Sequence, residues 1–122
     1  MSECLTSAVR QVVRGELEWA RLREFGVSVV LSSDSVTVLG KIECPVVVSP
    51  QDVATGWMHH AGSTSDLREW ARIVHGAIGL IELDFDDDPL HDSLLDALWR
   101  LNFGELPTQE MEETARRLLL IG

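Results

Sequence analysis

Three helix starts from Ser49 onward are written out in local chemistry, and they restrict what the remaining residues can form. Ser49-Pro50-Gln51-Asp52 offers a serine hydroxyl to orphan N–H groups, a proline at the first helical position where its missing N–H costs nothing, and a carboxylate three residues after the cap. The helix it opens carries Val53, Ala54, Trp57, Met58 and Ala61 on one face and stops at Gly62. Ser63-Thr-Ser-Asp66 repeats the cap and leads into Leu67, Trp70, Ala71 and Val74, with a stop at Gly76. Asp88-Pro89 repeats the cap with its proline, ahead of an apolar stripe of Leu90, Leu94, Ala97, Leu98 and Leu101. A last helix opens near Pro107-Thr108, with Met111, Ala115, Leu118 and Leu119 as its apolar face. Glu112 and Glu113 precede Arg116 and Arg117 by four residues, so two i,i+4 pairs are expected there.

The first half reads differently. Leu5, Ala8, Val9, Val12, Val13, Leu17 and Ala20 recur at helical spacing, which predicts an amphipathic helix to about Glu24, or two shorter pieces broken at Gly15, with Gly26 as the stop. Val27, Val29 and Leu31, then Val36 and Val38 after Ser32-Ser-Asp-Ser35, alternate as the arms of a β-hairpin. Val46-Val-Val48 after Cys44-Pro45 is a third β-branched run. Ile81, Leu83 and Phe85 alternate in a short extended segment between the second and third of the four capped helices. The expected class is α+β in one domain spanning residues 1–122: an N-terminal helix, an antiparallel sheet of about three strands, then four C-terminal helices.

Charge narrows the functional classes. The net charge is −10, and residues 1–49 hold six acids against five bases while residues 50–122 hold fourteen against five. Such a field repels nucleic acid and anionic membrane, and it accelerates encounter with a basic protein. The beginning Met1-Ser-Glu3 has no basic stretch followed by an apolar block, and no run approaches the length of a membrane span. A soluble cytoplasmic protein is expected, with Cys4 and Cys44 as two reduced thiols and a monomer or homodimer as its state.

The densest chemistry is Glu82-Leu-Asp-Phe-Asp-Asp-Asp-Pro-Leu-His-Asp92. Asp84, Asp86 and Asp88 have the spacing of the first ligands of a calcium loop, but Pro89 and Leu95 stand where that loop needs glycine and a bidentate glutamate. Asp84, Asp87 and His91 could together serve a hard divalent metal, which would make the chain a small enzyme or ligand-binding protein. The simpler chemistry is that Asp86, Asp87 and Asp88 cap and complement a helix N-terminus, where each such role is worth about 0.5–1 kcal/mol. A charged edge for a partner, built from Asp84, Asp86, Asp87, Asp88 and Asp92, is the third use. His59 and His60 are adjacent and diverge by about 100° on a helix, so they do not grip one ion together. No HExxH, GxSxG or phosphate-cradling loop occurs, so no catalytic residue or cofactor is implied. Trp57 and Trp70 fall on apolar helix faces and are expected in the core, whereas Trp19 and Trp99 fall on flanks where they could anchor a partner.

Asp66-Leu-Arg-Glu-Trp-Ala-Arg72, Ile81-Glu-Leu-Asp84 and Leu94-Leu-Asp-Ala-Leu-Trp99 before the Pro107 helix resemble the pattern of small acidic bacterial proteins of unknown function, including immunity-like proteins that neutralise toxins. The resemblance covers about seventy residues from Pro50 onward. It implies a binding role and transfers no active-site residue. With the charge asymmetry, it sets the expectation of a non-catalytic, acidic partner-binding protein of immunity type, or an adaptor or chaperone-like one, facing a basic protein.

Overall fold

The computed structural model describes residues 2–32, 35–40, 42, 44–77 and 79–121, with side chains described from Leu5 to Leu120 within those ranges. The Cys4 side chain and the tip of the expected hairpin turn, Ser33 and Asp34, lie outside that description, and Cys44 is an exposed free thiol. The class is α+β. Helix α1 (Ser2–Val13) is followed by a 3-10 helix (Trp19–Phe25), strands β1 (Val27–Leu31), β2 (Val36–Gly40) and β3 (Val46–Val48), helices α2 (Pro50–His60) and α3 (Thr64–Gly76), strand β4 (Ile81–Leu83), and helices α4 (Pro89–Asn102) and α5 (Gln109–Ile121).

The caps form as the local chemistry requires. Ser49 Oγ accepts from Asp52 N and Asp52 Oδ2 accepts from Ser49 N, both at 3.2 Å, which closes a reciprocal capping box on α2. Ser63 Oγ accepts from Asp66 N at 3.3 Å, Asp88 Oδ1 from Leu90 N at 2.8 Å, and Thr108 Oγ1 from Met111 N at 3.3 Å. Of the two ion pairs expected on α5, Glu112 reaches Arg116 at 3.4 Å. Gly76 does not stop its helix but ends it from within, with Ala77 as the cap.

Of the two forms expected for the N-terminal segment, the one broken at Gly15 is present, and one further expectation needs correction. The N-terminal helix ends at Val13, because Gly15 turns the chain at φ +81°, and the second piece winds as a tighter 3-10 helix whose Ala20 is exposed. The three-stranded antiparallel sheet does not exist among the described residues. Instead β1 pairs antiparallel with β2 alone, Val27 opposite Gly40 and Leu31 opposite Val36, while β3 pairs in parallel with β4, Val46 opposite Ile81 and Val48 opposite Leu83. Parallel pairing needs a crossover, and α2 with α3 supplies it. Val46 and Val48 are buried while Val47 faces out, and β3 packs against α1 as well as β4, so it is held in the layer that α1 covers rather than beside its neighbour in sequence.

One core cluster joins residues from Ala8 in α1 to Leu118 in α5. Its tightest point is the junction of α1, α2 and α3. Trp57 and Trp70 meet edge to face with ring centroids 6.2 Å apart, and Trp70 Nε1 donates to the Val13 carbonyl at 2.8 Å, satisfying one of the orphan acceptors at the end of α1. Gly56 is where α2 crosses this junction: a Cβ there would sit 1.9 Å from the Val13 oxygen and 2.7 Å from Trp70 Cζ2. Only glycine allows the two backbones to come this close. Leu119, expected on the apolar face of α5, is instead partly exposed, and Leu120 is almost fully so.

Candidate functional site

The acidic stretch forms the connection from β4 into α4. Strand pairing extends one residue beyond β4, where Asp84 N donates to the Val48 carbonyl at 2.9 Å. Ile81 and Leu83 turn inward and Glu82 outward, as alternation dictates. The Asp86 carbonyl accepts from Asp88 N at 2.9 Å, which tightens the turn, and Asp88 then caps α4 with Pro89 at its first position. Asp84, Asp86, Asp87, Asp88 and Asp92 are all exposed, gathered at the positive end of the α4 dipole. His91 lies half-buried with its ring centroid 5.9 Å from that of Phe85, and its Nδ1 is buried without a hydrogen-bond partner among the described residues. Among the described residues no group of three or more His, Cys, Asp or Glu side chains could hold a metal ion. Asp84, Asp87 and His91 are therefore near in sequence without being brought together as ligands.

The flanking tryptophans have separate fates. Trp19 is half-buried, and its Nε1 donates to Glu69 Oε1 at 2.8 Å, tying the 3-10 helix to α3. Around it lies a cavity of about 370 Å³ lined in part by Leu17, His60, Glu69 and Trp70. His60 packs against Trp70 at a centroid distance of 5.9 Å. Burial, then the neighbouring His59, holds its pKa below the usual histidine value, so this cavity presents a neutral imidazole beside a carboxylate already hydrogen-bonded to Trp19.

Trp99 is 49% exposed and packs against Phe103, one helical turn onward and 66% exposed, with ring centroids 4.8 Å apart and the ring planes inclined by 50°. Asp92 and Asp96 precede Trp99 by seven and three residues, so the carboxylates and the two rings share one stripe of α4. Arg100 beside the rings is held by Asp96 at 3.8 Å and by Glu105 at 3.1 Å. Leu106, three residues after Phe103, is another exposed apolar side chain. The sequence reading found Trp99 but missed Phe103 and Leu106. The i,i+4 spacing of Trp99 and Phe103 was the available signal, hidden because Phe103 falls at the helix end where periodicity is lost.

No protein family, curated protein or solved structure matches this chain. The chemistry of these surfaces is what bears on function.

Proposed function

We propose that the chain is a non-catalytic partner-binding protein, an immunity-type inhibitor or an adaptor, whose α4 stripe docks on a basic protein. The observation that carries this reading is the exposed Trp99–Phe103 ring pair on the same stripe as Asp92 and Asp96, one helix length from the acidic turn 84–88. Rings left in water are costly unless something covers them, and aromatic anchors are the side chains that concentrate binding energy at interfaces. The carboxylates act differently. They draw a basic partner in by long-range attraction and align it, while exposed rim charges add little to the final affinity. A second copy of this chain is a poorer occupant, since it brings the same −10 charge to the same surface.

The test begins with cross-linking capture from native lysate and ends with association kinetics at two ionic strengths. A basic partner should associate faster at low salt, and the Asp86→Asn/Asp87→Asn pair should slow association and flatten its salt dependence. Trp99→Ala should act on dissociation instead, at about 2 kcal/mol, roughly thirtyfold. A captured partner indifferent to salt, to the aspartates and to Trp99 would remove this surface from consideration.

A further inference from the structure

A cavity of about 450 Å³ opens between α3, β2 and the last turn of α4. Its walls include Arg68, Arg72, Val36, Asn102, Phe103 and Gly104, and none of its lining residues is acidic, in a chain with twenty carboxylates. Arg68 and Arg72 stand four residues apart on α3, so their guanidinium groups leave the same face. Neither forms an ion pair among the described residues. The carboxylates nearest in sequence are engaged elsewhere: Glu69 accepts from Trp19, and Glu105, next to Gly104, is held by Arg100 through bonds of 3.1 and 3.3 Å.

Three further features shape the site. Arg72 Nη2 donates to the carbonyls of Ser32 and Ser35 at the hairpin end, which orients the guanidinium without neutralising it. Arg68 Nε is buried and has no hydrogen-bond partner among the described residues. A buried N–H of a charged group left unpaired is costly, and an oxyanion acceptor would remove that cost. Gly104 turns the chain at φ +96°, and a Cβ there would come within 3.3 Å of Arg68 Nη2, so the absent side chain leaves the guanidinium open to the cavity.

We propose that this cavity binds a small organic oxyanion, a phosphate or carboxylate on an apolar or aromatic body, with Arg68 and Arg72 taking the anion and Val36 and Phe103 flanking the body. Paired guanidinium groups match the planar, multidentate geometry of such oxyanions, and the volume lies in the range of small-molecule sites. The net charge of −10 works against anion binding in general, so an anion is held only where guanidinium groups outweigh it locally, as at Arg68 and Arg72. The proposal shares Phe103 with the partner-binding reading of α4, but its anion-binding groups, Arg68 and Arg72, lie on α3 and stand whether or not a partner docks on α4.

The experiment titrates 15N-labelled wild-type protein with phenyl phosphate, benzoate and inorganic phosphate at constant ionic strength, following the Arg68 Nε–H resonance and the dissociation constant. The wild-type resonance should move downfield and saturate as Nε gains an acceptor, a readout that needs no variant to fold. The tighter of phenyl phosphate and benzoate identifies the anionic group. Arg68→Gln should weaken binding about tenfold or more, the loss of one charge-assisted hydrogen bond, and Arg68→Lys should restore part of it. Phe103→Ala should weaken phenyl phosphate and benzoate while leaving inorganic phosphate unchanged. Arg117→Gln, at an exposed arginine on α5, should leave all three unchanged. Shifts that never saturate, an unmoved Arg68 Nε–H, or equal weakening by Arg117→Gln would overturn the site; indifference of phenyl phosphate and benzoate to Phe103→Ala would overturn its apolar wall.

Discussion

Gly56→Ala adds one methyl group to the middle of α2, where helix propensity alone favours alanine by about 1 kcal/mol. The tertiary structure reverses that sign. The new Cβ would lie 1.9 Å from the Val13 carbonyl oxygen, a backbone atom that cannot swing aside, and 2.7 Å from the Trp70 indole. Relieving the contact means moving α1 away from α2, at an overpacking cost of about 1–3 kcal/mol. The same displacement breaks the 2.8 Å bond from Trp70 Nε1 to Val13 O, and losing a buried pair costs about 1–3 kcal/mol more. After the propensity gain, the net loss is about 3 kcal/mol, and for a domain of this length that lowers Tm by roughly 12 °C. The matched control is Gly62→Ala. Gly62 is exposed, has no atom within 4 Å of an added Cβ, and has no left-handed φ, so the same chemical change there should stabilise by about 0.4–1 kcal/mol through the unfolded state. Thermal and urea melts of the two variants side by side read the outcome. A Gly56→Ala protein as stable as wild type, or more so, would refute the close crossing of α1 and α2.

Trp70→Ala should cost about 3–5 kcal/mol, because the indole is 4% exposed and bridges three helices, whereas half-exposed Trp99→Ala should cost about 1 kcal/mol; denaturant midpoints in the reverse order would contradict the packing of α3 and α4. Burial lowers the pKa of His75, so the unfolded chain takes up its proton more readily than the folded one; stability is held above the ordinary histidine pKa and declines as pH falls below it. Urea melts from pH 7.5 to 5 should show that decline in wild type and a shallower one in His75→Gln, and equal slopes would exclude His75 as its source. Zinc, manganese, magnesium and calcium should leave Tm unchanged relative to chelator, since the acidic turn does not converge on a ligand set; a saturable rise of several degrees would restore Asp84, Asp87 and His91 as a metal site.

What was legible in the sequence is what short-range chemistry decides. Ser49, Ser63, Asp88 and Thr108 meet their N–H partners two or three residues away, so the starts of α2 to α5 follow from the residues themselves. The hairpin, the burial of Trp57 and Trp70, and the acidity of the turn into α4 follow in the same way, from alternation, helical period and residue type. The tertiary structure alone decided which segments separated in the chain would meet. Three valines in β3 state that they form a strand but not that Ile81, thirty-five residues after Val46, is the partner. Gly56 reads as a flaw in a helix until Val13 and Trp70 are placed beside it, and Trp19 reads as a free flank until Glu69 takes its N–H. The cavity at Arg68 and Arg72 has the same origin, since an i,i+4 arginine pair on a helix is ordinarily a solvated face. It becomes a basic pocket because the start of β2 and the glycine turn after α4 wall it in, and none of the residues lining it is acidic. Caps and periods act over a few residues, whereas charge balance and burial are set by everything packed within reach.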